Sequence, residues 1–271
     1  MYINADMTAV PLLDMVQKIE NELSDPGEAD FSAPLAELLQ DLSADLQQFE
    51  RASGALSDAQ KLEILLLKFY QEWQFKGDWQ TFYEYRNTEI KQVLSQRQGI
   101  PMTLGIVLRH CCHHIGLEAN GICFPGNFLV SLVIDGQMQY LDPFNGEFLS
   151  WQDMEVKLRG TQGNLARLET DNLTPDDDTT IARRLLQVKK AALLREHQYA
   201  GALLCADIIL RLVPGDPFEV RDRGFIYHEL DCISVAINDF KYFIEKCPDD
   251  PSSHLIKVKL EQMDDAQTTM H

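Results

Sequence analysis

Five consecutive residues, His110-Cys111-Cys112-His113-His114, form the densest set of nucleophilic and metal-ligating side chains in the chain. On a helix His110 and His114 would share a face at i, i+4, with Cys111 near His114 at i, i+3, a spacing that zinc sites use. Adjacent ligands nevertheless diverge by about 100°, and no CxxC or carboxylate-rich partner motif completes four ligands. The expectation is therefore surface histidines beside core cysteines, and no metal. Cys111, Cys112 or Cys123 could act as a nucleophile only as a thiolate, and burial would hold the proton on. No phosphate-binding glycine loop, GxSxG elbow or HExxH occurs, so no cofactor is expected. Trp73, Trp79, Phe82 and Tyr83 around Gly77 could stack on a ligand, but packing in a core or interface is the simpler reading.

These residues need a scaffold, and the segment GIPMTLGIVLRHCCHHIGL supplies one helix, from Pro101 to Ile115. At a helical pitch Leu104, Leu108, Cys111 and Ile115 form a core stripe bordered by Val107 and Cys112. Met102 and Ile106 lie opposite, so the first turns are apolar nearly all round and the helix should be central. Thr103 heads a third stripe running through His110 and His114. Strand-like runs follow at 119–124, 127–134 and 138–142. Asp135-Gly136 favours a two-residue type I′ hairpin, in which paired residue numbers sum to 271. Asp142 then lies opposite Leu129 and diagonal to Asn127, close enough for their side chains to interact.

Around this middle region the chain changes character. Residues 1–60 carry twelve acidic side chains against Lys18 and Arg51. Leu12, Val16, Ile19 and Leu23, then Leu35, Leu38, Leu39, Leu42 and Leu46, predict two amphipathic helices there. Asp58 is the expected cap of a third, and another helix is expected near 88–96. Residues 171–180, DNLTPDDDTT, read as a linker. Beyond them Pro214-Gly215-Asp216-Pro217 recurs as Pro248-Asp249-Asp250-Pro251, an offset of 34 that is the tetratricopeptide period. That register superposes Ala202 on Ala236, Ala206 on Phe240 and Ile209 on Phe243, with Gly224 at the small position and Lys190 where a glycine is expected.

The whole chain has 24 basic against 42 acidic residues, a net charge of -18, which disfavours nucleic acid and anionic membranes as partners. There is no run of 18 apolar residues and no basic flank before an apolar stretch at the start. A cytoplasmic protein with reduced cysteines is expected.

The blocks Arg97-x-Gly99-Ile100-Pro101-x-Thr103-Leu104, Gly116-Leu117, Phe124-Pro125-Gly126-Asn127-Phe128-Leu129 and Asp142-Pro143-Phe144-Asn145-Gly146 carry a resemblance. From about residue 30 onward, the chain resembles the bacterial SirB family, a transglutaminase-like core followed by a tetratricopeptide tail. The resemblance implies a papain-like core in which a central helix supplies a nucleophile, one strand a His and the next strand an Asp. The cysteine of active relatives would fall near Pro101 to Thr103, where there is no thiol. The His falls at Asn127, where many members read Pro-Gly-His-Phe, and only Asp142 keeps its type. Thiol acyl transfer needs a base of near-neutral pKa, and Asn cannot take a proton. Thr103 as nucleophile would need His110 or His114, about 10 and 16 Å along the same helix.

The sequence thus predicts an α+β protein with a papain/transglutaminase-like core, central helix plus antiparallel sheet, at 61–170. An acidic helical lobe (1–60) precedes it, and a linker (171–180) and tetratricopeptide-like helices (181–271) follow. Its expected function is non-catalytic: protein interaction or regulation, with Thr103, Asn127 and Asp142 as a remnant cleft that Arg97 and Pro101 support. In a simpler alternative Arg97 and Asp142 form a buried ion pair. The competing function is a cysteine- or threonine-dependent acyl transferase or peptidase with a displaced nucleophile, which requires a thiol or hydroxyl within reach of a His near Asp142. Arg183, Arg184, Lys189, Lys190 and Arg195 concentrate positive charge on the first tail helix. They are the expected contacts for a protein or peptide partner, either an acidic segment or the protein's own acidic lobe.

Overall fold

The computed structural model describes residues 10–25 and 28–269. The outermost parts of the expected acidic lobe and tail, residues 1–9 and 270–271, lie outside the described residues. Helix α1 (Leu12–Leu23) buries Leu12, Val16 and Ile19, and α2 (Ser32–Ser53) buries Leu35, Leu38 and Leu42, the leucine stripes read from the sequence. Helix α3 (Asp58–Leu67) starts one residue earlier than expected. Ser57 is its cap, accepting the Gln60 N–H while the Gln60 side chain accepts the Ser57 N–H. A π-helical turn, Lys68–Glu72, follows, and buries the Lys68 ammonium among Asp41, Asp45 and Glu72. Two residue pairs, β1 (Lys76–Gly77) and β2 (Gln98–Gly99), run parallel on either side of α4 (Ile90–Gln96).

Helix α5 (Pro101–His114) begins with proline at a position where no backbone N–H is needed. Every side chain from Pro101 to Leu108 is buried, so the helix is central, as its all-round apolar first turns predict. The sheet is antiparallel with strand order β3 (Ala119–Ile122), β4 (Leu129–Ile134), β5 (Gln137–Asp142), β6 (Glu147–Phe148). Its hairpin has the predicted register, Ile134 opposite Gln137 and Val130 opposite Leu141. Asp135 and Gly136 both take positive φ, 50° and 77°, as a type I′ turn demands. Helix α5 covers one face of the sheet. On the other, Ile122 and Leu129 pack with Met154 and Leu158 of α6 (Trp151–Gln162) and with Leu168 and Leu173.

The segment read as a linker is instead tied into this core. Asp176 N–H donates to Gly121 O at 2.9 Å, and the Asp176 carboxylate accepts the Cys123 N–H at 2.7 Å. Asp178, the first residue of α7 (Asp178–Arg195), accepts Arg109 at 2.7 Å and the Leu12 N–H at 2.9 Å. Acidic residues that look like solvated linker are acceptors for partly buried donors far away in sequence, a use that local composition does not reveal.

The chain divides into two compact units at Leu185–Leu186. The second contains the rest of α7 with α8 (Tyr199–Leu212), α9 (Pro217–Glu229), α10 (Ile233–Lys246) and α11 (Pro251–Thr269). The 34-residue spacing appears as repeated capping. Asp216 accepts the N–H groups of Phe218 and Glu219 ahead of Pro217, and Asp250 accepts that of Ser252 ahead of Pro251. Gly224 is small for a reason: a Cβ there would lie 2.9 Å from the Phe240 ring. In the first repeat the bulk is exchanged, with Lys190 at the glycine position and Ala206 where Phe240 stands.

Candidate functional site: the remnant cleft and the tail helices

Three elements meet where the sequence places the cleft. A Cβ added at Gly105 would fall 2.6 Å from the Phe128 ring and 3.1 Å from Pro143 Cγ. The start of β4 and the end of β5 are thus pressed against α5, and only glycine leaves room. A similar close approach holds the turn after Asp142, since Gly77 N–H donates to Phe144 O at 2.9 Å beneath the Phe144 ring.

The side chains do not converge as the backbones do. Thr103 is two residues from Gly105, about 200° around the helix, and so faces away from the sheet. Fully buried there, its hydroxyl donates to Asn87 O at 2.9 Å and accepts the Ile100 N–H at 3.2 Å. Asn127, half-buried, turns its Oδ1 back onto the Phe128 N–H at 2.8 Å. Asp142 is buried on the face that α6 covers. Its Oδ1 accepts the Phe144 N–H at 2.9 Å, and its Oδ2 pairs with Lys157 Nζ at 2.7 Å. The expected Asn127–Asp142 interaction is replaced by these two separate arrangements.

Arg97 does not pair with Asp142 either, which corrects the ion-pair alternative. It closes α4 with a left-handed backbone, φ 58°, and its guanidinium lies 4.9 Å from the centre of the Phe75 ring. Burial pushes its pKa down, partly offset by Glu37, and its Nη1 is buried without a hydrogen-bond partner. Pro101 supports the cleft only by starting α5. The sequence reading missed Lys157, although a signal existed: on α6 it lies three residues after buried Met154 and next to Leu158, at the edge of the core stripe.

The three thiols weighed as nucleophiles are held in the protonated form. Burial pushes Cys111 up to about 12, and Cys112 higher still. Cys123 is pushed up to about 12 by burial and by the charge of Asp176. Among the histidines, His113 Nε2 donates to Ala119 O at 2.6 Å, and His114 Nε2 lies 2.8 Å from Ser43 Oγ. The Ser43 hydroxyl also lies 2.8 Å from Leu39 O, an acceptor one turn back on its own helix. The Ser43–His114 pair sits at the C-terminal end of α5, about 20 Å from its start, and is not near Asp142. His110 has its pKa lowered by burial and then by His113 and His114. It lines a pocket of about 430 Å³ with Ile106, Arg109, His113 and Asp178. Among the described residues no three His, Cys, Asp or Glu side chains gather as metal ligands.

Trp79 is 80% exposed and meets the Phe144 ring edge-on at 4.4 Å, with Phe82 at 6.0 Å. Trp73, half-buried, instead meets the edges of the buried Phe69–Phe75 stack and donates its indole N–H to Asp41 at 2.8 Å. The aromatic residues near Gly77 therefore belong to two environments.

The five basic residues proposed as partner contacts also separate. Arg184 and Arg195 are exposed and Arg183 is half-buried, but Lys189 and Lys190 are buried. Lys190 Nζ contacts the buried Glu219 carboxylate and, at 3.0 Å, Asp222 of α9. This corrects the expected surface patch. Helical spacing showed where Lys190 lies along α7, but not that α9 would bring two carboxylates onto it.

Comparison with known proteins accounts for both units. A model described as the transglutaminase-like superfamily matches residues 15–187, and a tetratricopeptide-repeat model matches 189–261. A UPF0162 protein of Vibrio cholerae is 46% identical over 213 residues, covering 78% of this chain and 79% of that protein. Protein SirB1 of Salmonella typhimurium is 34% identical over 223 residues, covering 82% and 83%. UPF0162 protein YchA of Escherichia coli is 35% identical over the same length and shares. No solved structure gives a significant match. The chain belongs to the SirB1/UPF0162 family, in which a transglutaminase-like domain is followed by tetratricopeptide repeats.

Proposed function

We propose that this protein is a non-catalytic interaction or regulatory protein, in which the transglutaminase-like unit is a scaffold and the tetratricopeptide tail meets a protein partner. The observation that carries the reading is the occupation of Asp142. Its two oxygens accept from the Phe144 N–H and from Lys157 Nζ, so its charge is paired with a lysine of α6 and neither recorded partner is a histidine that it could orient as a base. Asn127 cannot accept a proton in any case, and Thr103 faces the other side of α5. A fold supplies surfaces whether or not a reaction survives on it, and repeat helices of this kind present extended ones.

The reading includes a cytoplasmic setting. It is supported by six free cysteines, which suit a reducing compartment. No described helix is long and apolar enough to cross a membrane.

The experiment is direct. Purified protein is assayed with glutamine-amide, peptide and ester substrates beside Thr103→Ala and Cys123→Ala variants. All three proteins should give the same background rate. Turnover abolished by one of these substitutions would instead establish an acyl transferase or peptidase with a displaced nucleophile.

A further inference from the structure

On α9, Phe218, Arg221 and Phe225 follow one another at i, i+3 and i+7, which puts them on one stripe. Both rings are partly in solvent, 47% and 39% exposed. Neither is loose. Phe218 sits edge-on to the buried Phe243 ring at 5.6 Å, and Phe225 likewise to buried Phe240 at 4.8 Å. Cations alternate with the rings. The Arg221 guanidinium lies 5.4 Å from the Phe218 centroid, and Lys259 Nζ of α11 lies 5.9 Å from that of Phe225. Arg221 also reaches Ser252 Oγ of α11 at 3.4 Å, so the stripe runs along the junction of the two helices.

The charge on this stripe is unequally neutralised. Arg221 shares Asp222 with Lys190, whereas among the described residues no carboxylate pairs with Lys259 or with its exposed neighbour Lys257. An exposed ring held rigidly by a core ring offers contact area at little entropic cost. A nearby ammonium with no carboxylate partner among the described residues adds preference for negative charge. We infer that the α9–α11 face built from Phe218, Arg221, Phe225 and Lys259 docks an acidic peptide segment, one carrying an aromatic or large aliphatic side chain within a residue or two of a carboxylate. The apolar side chain packs on the two phenylalanines while the carboxylate meets Lys259. Single-stranded nucleic acid also pairs rings with cations, but its backbone calls for a row of free cations, and on this face Arg221 is already paired with Asp222.

This inference rests on the interaction reading above and specifies its partner. The test pans a phage-displayed library of random dodecapeptides on the full chain. The best binders are then synthesised and titrated by fluorescence anisotropy. Recovered sequences should be enriched in Asp or Glu beside Phe, Tyr, Trp or Leu. Affinity should fall about tenfold or more in Lys259→Glu and in Phe218→Gln, and by less in Lys259→Gln, with the melting temperature of each variant near that of the parent. No enrichment, a basic consensus, equal affinity for the Lys259 variants, or equally tight binding of oligo(dT) would each overturn it. If acidic binders are recovered but ignore these substitutions, this surface is wrong while the interaction reading stands. Catalytic turnover in the assay above would fail that reading and leave the surface to be judged by the variants.

Discussion

The N-terminal half of α5 and the buried side of α9 both contain a residue forced to be glycine by an aromatic ring, Gly105 beneath Phe128 and Gly224 beneath Phe240. What surrounds them differs. Around Gly105 the polar side chains of the cleft, Thr103, Asn127 and Asp142, are each bonded to the protein's own groups. Around Gly224 the pattern is inverted, because aromatic rings stand in solvent while Lys190 and Glu219 are buried together. The region whose residue types suggest chemistry is closed on itself, and the region without reactive groups offers an open surface. Residue type is therefore a poor guide to availability here. What decides is whether the neighbouring elements satisfy a group before any ligand arrives.

The strongest way to break this contrast is to strand the buried tail charge. Lys190→Glu would face Glu219 and Asp222, and Glu219→Ala would leave Lys190 with Asp222 alone. Each should cost about 3–5 kcal/mol in urea unfolding of the full chain. If Lys190→Glu unfolds like the parent, the lysine is at the surface and the expected basic patch returns.

Next come the two glycines. Gly105→Ala forces a Cβ to 2.6 Å from a ring with Pro143 behind it, and Gly224→Ala to 2.9 Å. Both should destabilise by about 1–3 kcal/mol, with Gly105 the worse, measured by the shift in unfolding midpoint. Equal tolerance at both sites would show that the cleft region is looser than its geometry implies.

Thiol accessibility gives a third, sharper comparison. Cys111 and Cys205 are buried and pushed up to about 12, whereas Cys232 is exposed. Titration of the native protein with a colorimetric disulfide reagent near pH 8 should show Cys232 as the fast thiol. A Cys232→Ser variant should lose that phase. A fast phase surviving in it, and mapping to Cys123, would reopen a nucleophile beside the cleft.

The smallest effect concerns the loop that carries Trp79. Burial alone would raise the pKa of Asp78, but the Thr81 side chain and backbone, Asn87 and Gln80 donate to its carboxylate and hold it below the usual range. A depressed folded pKa contributes stability above the unfolded value, and that stability is lost as pH falls through the folded one. Unfolding free energy should therefore decline below about pH 4, and Asp78→Asn should flatten that decline. An unchanged acid limb in the variant would show that other carboxylates govern it.

Much of this protein was legible along the chain, wherever a feature depends on residues close in sequence. The leucine stripes of α1 and α2, the central character of α5, and the repeat read from Pro217 and Pro251 all follow from local spacing. So does the hairpin register, because Asp135-Gly136 sets the turn and the turn sets every pair along it. Asp142 could be placed on its strand, but its partner could not be named. Lys157 lies fifteen residues away and reaches Asp142 only because α6 folds back over the sheet. The same holds for Asp176 and Asp178, whose acidity reads as a linker until Cys123 and Arg109 are brought to them. Lys190 shows it most plainly: its sequence marked a missing glycine and a positive charge, and only packing against α9 turned that charge inward. Local periodicity determines which face of an element is apolar, whereas the pairing of a buried charge depends on groups tens of residues away, and those meet only in the folded chain.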